Sequence, residues 1–193
     1  AQMMAPPARS RVEAHSPRAI DWQNFALLNL VMLLDRADQI LLPAVFLQVC
    51  RELGAGPSML GTITLCRGFA MSLVALAAGP LSKRFNRIMI CSAGTLLWAV
   101  ATAAVGIAPS VSFILFARSL NGIGLGLVIP VVFSLVSDMF SPAQRGAAFG
   151  ALGFTSNLGQ LMGSWFAVEI AASSHALGGL PGWRVAFHGV AAA

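Results

Sequence analysis

The 193-residue sequence contains no tyrosine and only three cysteines, and charged residues fill just 10% of its positions. A soluble domain carries about 25% charged residues, so this scarcity argues against one. Cys50, Cys66 and Cys91 stand far apart. They lack the paired spacing of a zinc site or a disulfide framework, and small buried hydrophobes are the simpler reading. No metal or cofactor is expected. The net charge of +5 does not come from a basic patch with interleaved aromatics, which excludes a nucleic-acid partner. In a membrane protein such an excess reflects Lys and Arg retained on the cytoplasmic side.

What is present is hydrophobic, at 57% of residues, and grouped in runs. Residues 1–21 are polar, hold Pro6, Pro7 and Pro17, and contain no apolar run. They read as a disordered cytoplasmic tail rather than a secretory signal peptide. Five apolar segments follow, at about 22–46, 59–81, 88–108, 111–137 and 146–168, each near the roughly 20 residues that span a bilayer core. A sixth, 183–193, is too short to cross. The expected fold is an all-α membrane bundle of five complete transmembrane helices and a truncated sixth. The opening on Ala1 and the close on Ala191-Ala192-Ala193 read as part of a longer chain.

The loops set the orientation. Arg9, Arg11 and Arg18 in the tail, Lys83, Arg84 and Arg87 between helices 2 and 3, and Arg145 between helices 4 and 5 share one side. The other side has only Arg51. The positive-inside rule then puts the N-terminus in the cytoplasm.

The charges inside spans are the candidate site, because an intramembrane ionisable residue is expensive and marks function by default. LNLVMLLDRADQILLPAV carries Asp35, Arg36 and Asp38; helices 2 and 4 add Arg67 and Arg118. At about 1.5 Å per residue, Asp35 lies roughly 20 Å from the cytoplasmic edge of a roughly 30 Å core. Arg67 and Arg118 lie about 10–12 Å in from the other side. All three reach one level, where a carboxylate and two guanidinium groups can offset each other's desolvation around a site for an anionic or zwitterionic ligand. Asp35 is the group expected to take up a proton, and Arg36 and Arg118 to meet an anion. Asp38 is the least secure member, since it can reach the outer vestibule. A structural ion pair that only locks helices together is the plain alternative.

In RSLNGIGLGLVIP, Gly122, Gly124 and Gly126 lack the strand and acid that a dinucleotide loop needs. In a membrane helix they allow close backbone approach, and Pro130 introduces a bend. Gly146/Gly150 and Gly159/Gly163 repeat the small-residue spacing in helix 5. Asn157 and Gln160 are weaker candidates for lining a cavity.

With these residues in view, the chain resembles the major facilitator superfamily. GPLSKRFNR is similar to the family's 2–3 loop signature at Gly79, Leu81, Arg84, Phe85 and Arg87. Lys83 stands where the signature has an acid, and Asn86 where it has its second glycine. Arg118 with the three glycines and Pro130 is similar to the fourth-helix pattern, and DMFSPAQRG, with Asp138, Arg145 and Gly146, to the 4–5 loop. The resemblance implies the N-terminal six-helix bundle of that fold, with a C-terminal six-helix half as missing partner. It also implies a cytoplasmic gate in which Arg84 or Arg87 meets Asp138. Asp35-Arg36 with Arg118 looks most like the Spinster-type branch, whose members carry lipids or organic anions and whose first-helix Asp is implicated in proton coupling. GLPGWRVAF and LLPAV also resemble plant and algal members. The expected function is secondary active, proton-coupled transport of an anionic or amphiphilic small molecule across a lipid bilayer. It is not an enzyme. A half-length scaffold that does not transport is the alternative. A six-helix intramembrane serine protease, with Ser164 and His188 as its only conceivable pair, is the remote one.

Overall fold

The computed structural model describes residues 21–172 and 181–192. The tail up to residue 20, His175 and the Gly178-Gly179-Leu180 turn lie outside the described residues. Six helices run in chain order: α1 Trp22–Leu53, α2 Ser58–Arg84, α3 Arg87–Gly106, α4 Val111–Met139, α5 Arg145–Ala172 and α6 Gly182–Ala192. Among the described residues there is no strand.

Local chemistry sets the ends. Asp21, Asn86 and Ser110 each place a side-chain oxygen on a free N–H of the first turn, from Asn24, Ile88 and Phe113 respectively, as N-caps do. Helix α1 runs past the expected end at 46 because Val45, Phe46 and Val49 continue its buried face. Gly54 stops it in the left-handed conformation at φ 67°, where a Cβ is unfavourable. Pro43, Pro80 and Pro130 lie inside α1, α2 and α4.

Among the described residues three helices, α2, α3 and α4, are long and apolar enough to cross a membrane by length and composition, against the five apolar spans expected. Helix α1 is long enough, but Asp35, Arg36 and Asp38 interrupt its apolar run. In α5, glycines and the polar pair Asn157 and Gln160 dilute the hydropathy.

The helices pack as α2 on α4, α1 on α5, and α3 on both α4 and α6, while α6 also touches α5 and α1. Exchanging the first three helices for the last three maps α1–α5 onto α4–α2 and leaves α3–α6 in place, the pattern of a three-plus-three repeat. Both equivalent seams use glycine. A Cβ on Gly122 or Gly126 of α4 would stand 2.3 or 2.6 Å from the Arg67 or Met71 carbonyl oxygen of α2. A Cβ on Gly159 of α5 would stand 2.2 Å from the Leu33 carbonyl oxygen of α1, and one on Gly163 2.7 Å from Ala37 Cα. Gly124 faces the other way, against Gly94 and Trp98 of α3. Around Gly146 and Gly150 there is open space, so only the second of the two α5 pairs is a packing seam.

Two apolar clusters fill the bundle. One gathers Leu41, Val45, Val49, Ile63, Ile114 and Trp183; the other gathers Met32, Val128, Val132, Val136 and Leu152. On α1, residues 35 and 38 fall between them.

Candidate functional site: a buried charge network across four helices

Asp35 and Asp38 sit one turn apart on α1, and both are buried. Asp38, fully excluded from solvent, is the hub. The Arg118 Nη1 of α4 donates to both its carboxylate oxygens, at 3.0 and 2.9 Å, while Nη2 donates to its backbone carbonyl at 3.2 Å. Asn121 Nδ2 donates to it at 3.0 Å. Trp98 Nε1 and Thr102 Oγ1 of α3 each donate from 3.4 Å. Fully hydrogen-bonded burial of this kind is what makes an ionised carboxylate tolerable away from water.

Asp35 is held far more loosely. Gln39, one helical turn on, donates from Nε2 to its two oxygens at 3.0 and 2.9 Å. The Arg67 Nη2 of α2 stands 3.5 Å from Asp35 and 3.8 Å from Asp38, and Arg67 Nε donates to Asn121 Oδ1 at 2.8 Å. Asn121 also donates to Thr102, at 2.9 Å. Two carboxylates and two guanidinium groups thus share one buried volume, neutral in sum when all are ionised. Helix α6 closes the far side, with the Phe187 ring 5.9 Å from the Arg118 guanidinium.

The five charges expected to form the site are therefore not equivalent. Asp38, placed last by depth, is the most enclosed. Arg118 pairs with Asp38 rather than with Asp35; Nη1 and Nη2 are engaged there, while its buried Nε has no hydrogen-bond partner among the described residues. Arg36 is exposed and donates only to Gln39 Oε1, at 3.3 Å, among the described residues. Asn157 and Gln160 are exposed on α5. Asn121, Thr102, Trp98 and Gln39 were missed by charge-based reading. The usable signals were spacing, with Asn121 three residues beyond Arg118 and Gln39 four beyond Asp35, and the polarity of Asn121 within an apolar span.

At the other end of the bundle, Arg87 at the start of α3 pairs with Asp138 at the end of α4. Lys83, Arg84 and Gly79 are exposed. Arg145, which lacks the acid of the 2–3 loop signature, donates from Nε to the Ser137 and Phe140 carbonyls at 3.1 and 3.3 Å, capping the end of α4. Beside the Arg87–Asp138 pair, α1, α3 and α4 enclose a mostly apolar groove of about 700 Å³, lined in part by Leu27, Leu28, Ile88 and Leu96. None of the buried charged residues lines it. On the opposite end, Glu52 accepts from Trp183 Nε1 at 2.6 Å and from Arg184 Nη2 at 2.8 Å, tying α6 to α1. Ser164 donates to the Gln160 carbonyl and the His188 ring lies against Gly106, so the two have separate surroundings. Among the described residues no cluster of three or more His, Cys, Asp or Glu could hold a metal ion.

Residues 27–193 match the profile of the Major Facilitator Superfamily. A triacylglyceride transporter of Mycolicibacterium smegmatis is 21% identical over 145 residues, covering 74% of this chain and 26% of that protein. The niacin transporter NiaP of Acinetobacter baylyi is 27% identical over 161 residues, covering 83% and 35%. The chain thus spans about a quarter to a third of these relatives' length. The crystal structure of a bacterial homologue of the human lysosomal transporter Spinster, inward-facing and occupied, superposes with a TM-score of 0.82 at 20% identity. It covers 92% of this chain and 42% of that one, a likeness of fold. With the match running through all six helices and their charged network, the chain belongs to the Major Facilitator Superfamily.

Proposed function

We propose that this chain is the N-terminal six-helix part of a secondary active transporter, coupled to protons, that moves an anionic or amphiphilic small molecule by alternating access. Its N-terminus faces the cytoplasm. The observation that carries the reading is the unequal hydrogen bonding of two buried carboxylates one turn apart. Asp38 is tied into α3 and α4 by four side chains, whereas Asp35 has one neutral donor and one distant guanidinium. A carboxylate that exchanges a proton within each cycle must be able to lose its partners at small cost; Asp35 meets that condition and Asp38 does not. Arg36, next to Asp35 and turned to the exposed face of α1, donates to a neutral acceptor and is the member of the five placed to meet an anionic group. Arg87 and Asp138 tie α3 to α4 at the cytoplasmic end, where such a pair holds one state of the cycle. The relatives' names cover triacylglycerides and niacin, so cargo varies between related chains.

The test uses the carrier that contains residues 1–193, reconstituted in proteoliposomes, with a substrate found by thermal-shift screening of anionic and amphiphilic compounds. Asp35→Asn is expected to abolish pH-driven uptake while leaving substrate exchange intact. Undiminished pH-driven uptake removes Asp35 from the coupling role, and a carrier that moves none of the compounds that bind it overturns the transport reading.

A further inference from the structure

Helix geometry strings three α1 side chains together. Arg36 and Gln39 are three residues apart, Asp35 and Gln39 four, so all three meet on one stripe. Gln39 is half-buried between an exposed Arg36 and a buried Asp35. Its carbonyl oxygen accepts from Arg36 Nη1 at 3.3 Å, and its amide nitrogen donates to both Asp35 oxygens at 3.0 and 2.9 Å. An amide has one accepting and one donating end, and here each end faces the charge that suits it. The reverse orientation would set the carbonyl against a carboxylate and the NH2 group against a guanidinium.

Resting on the reading of Asp35 as proton carrier and Arg36 as anion contact, we propose that Gln39 is a positioning residue that links the two. With Asp35 ionised, Gln39 is locked and its carbonyl oxygen holds Arg36. When Asp35 binds a proton its carboxyl gains an O–H donor, the Gln39 carbonyl becomes a suitable acceptor for it, and the amide turns over. Arg36 then faces the NH2 group, loses its acceptor, and is released to an anion on the exposed face of α1. The proton on Asp35 and the anion at Arg36 are thereby read by opposite ends of one side chain. Among the described residues the charged groups that act on Asp35 are Arg67 from α2 and Arg36 and Asp38 from α1 itself, with Arg118 of α4 engaged on Asp38. Gln39 is the hydrogen-bonded route from Arg36.

The link is tested by infrared titration of the carrier that contains residues 1–193 in lipid nanodiscs, with the Asp35 carboxyl band identified by its loss in Asp35→Asn. Arg36→Ala is expected to move the midpoint of that band by about half a pH unit. In a Gln39→Met background, which keeps the side-chain length and removes both amide ends, the same substitution moves it little. An equal displacement in both backgrounds means that Arg36 acts on Asp35 through space and overturns the role of Gln39, as does no displacement in either. If Asp35→Asn removes no titrating band, Asp35 is not the proton carrier, and it is the proposed coupling site that fails.

Discussion

Asp38 accepts from side chains on two other helices and is paired with Arg118 at 2.9 Å. Breaking a buried pair from one side leaves a charge without compensation and costs about 3–5 kcal/mol, whereas replacing both members by apolar groups is often neutral. Asp38→Asn is therefore expected to lower the unfolding midpoint sharply, and Asp38→Asn with Arg118→Met to recover much of the loss in the same chemical denaturation. Asp35→Asn keeps acceptor capacity for Gln39 and is expected to cost only about 1 kcal/mol. Equal losses from the two single substitutions would contradict the asymmetry between the carboxylates. The charges themselves were legible in the sequence, and Arg67 does stand 3.5 Å from Asp35, whereas Arg118 meets Asp38 instead. Their pairing was not legible. Residues 35 and 38 differ in height by only about 4.5 Å, less than a depth count from helix ends can resolve. The neutral partners Asn121, Thr102 and Gln39 carry no charge to draw notice.

At the scale of the elements, the glycine seams separate what spacing shows from what it hides. Gly146/Gly150 and Gly159/Gly163 have the same four-residue spacing, yet only the second pair meets another helix. A repeat of small residues marks a face, and the opposite side is set by tertiary packing. Gly122→Ala and Gly159→Ala are expected to destabilise by about 1–3 kcal/mol, the usual cost of forcing extra atoms into a packed contact. Gly150→Ala, in open space on the same kind of helix, is expected to stabilise by about 0.5–1 kcal/mol. Unfolding in a detergent series reads all three, and a Gly122→Ala protein as stable as the unsubstituted chain would mean that α2 and α4 can part without loss. Helix number and order were legible from apolar length alone. The extension of α1 to Leu53 was not, because it depends on Val49 finding Ile63, Ile114 and Trp183 from other helices.

Across the whole molecule, the network joins residues far apart in sequence. Asp38 and Arg118 are 80 positions apart, and that interval has a consequence in time. At roughly 5–20 residues per second, a ribosome finishes Arg118 about 4–16 s after Asp38. Through that interval α1 carries Asp35, Arg36 and Asp38 without the partners that make them tolerable in lipid, where an Asp at mid-span costs about 2.5–3.5 kcal/mol. Its own composition does not favour spontaneous insertion either. The first helix is thus expected to wait beside the insertion machinery until α2 and α4 arrive, which makes assembly of this bundle a delivery in reverse order. A glycosylation acceptor placed in the loop at 54–57 should be modified poorly in nascent chains that stop at residue 110. It should be modified efficiently in chains that reach residue 144, or in short chains carrying Asp35→Leu and Asp38→Leu. Equal modification at both lengths would mean that α1 enters the membrane with its charges unpaired.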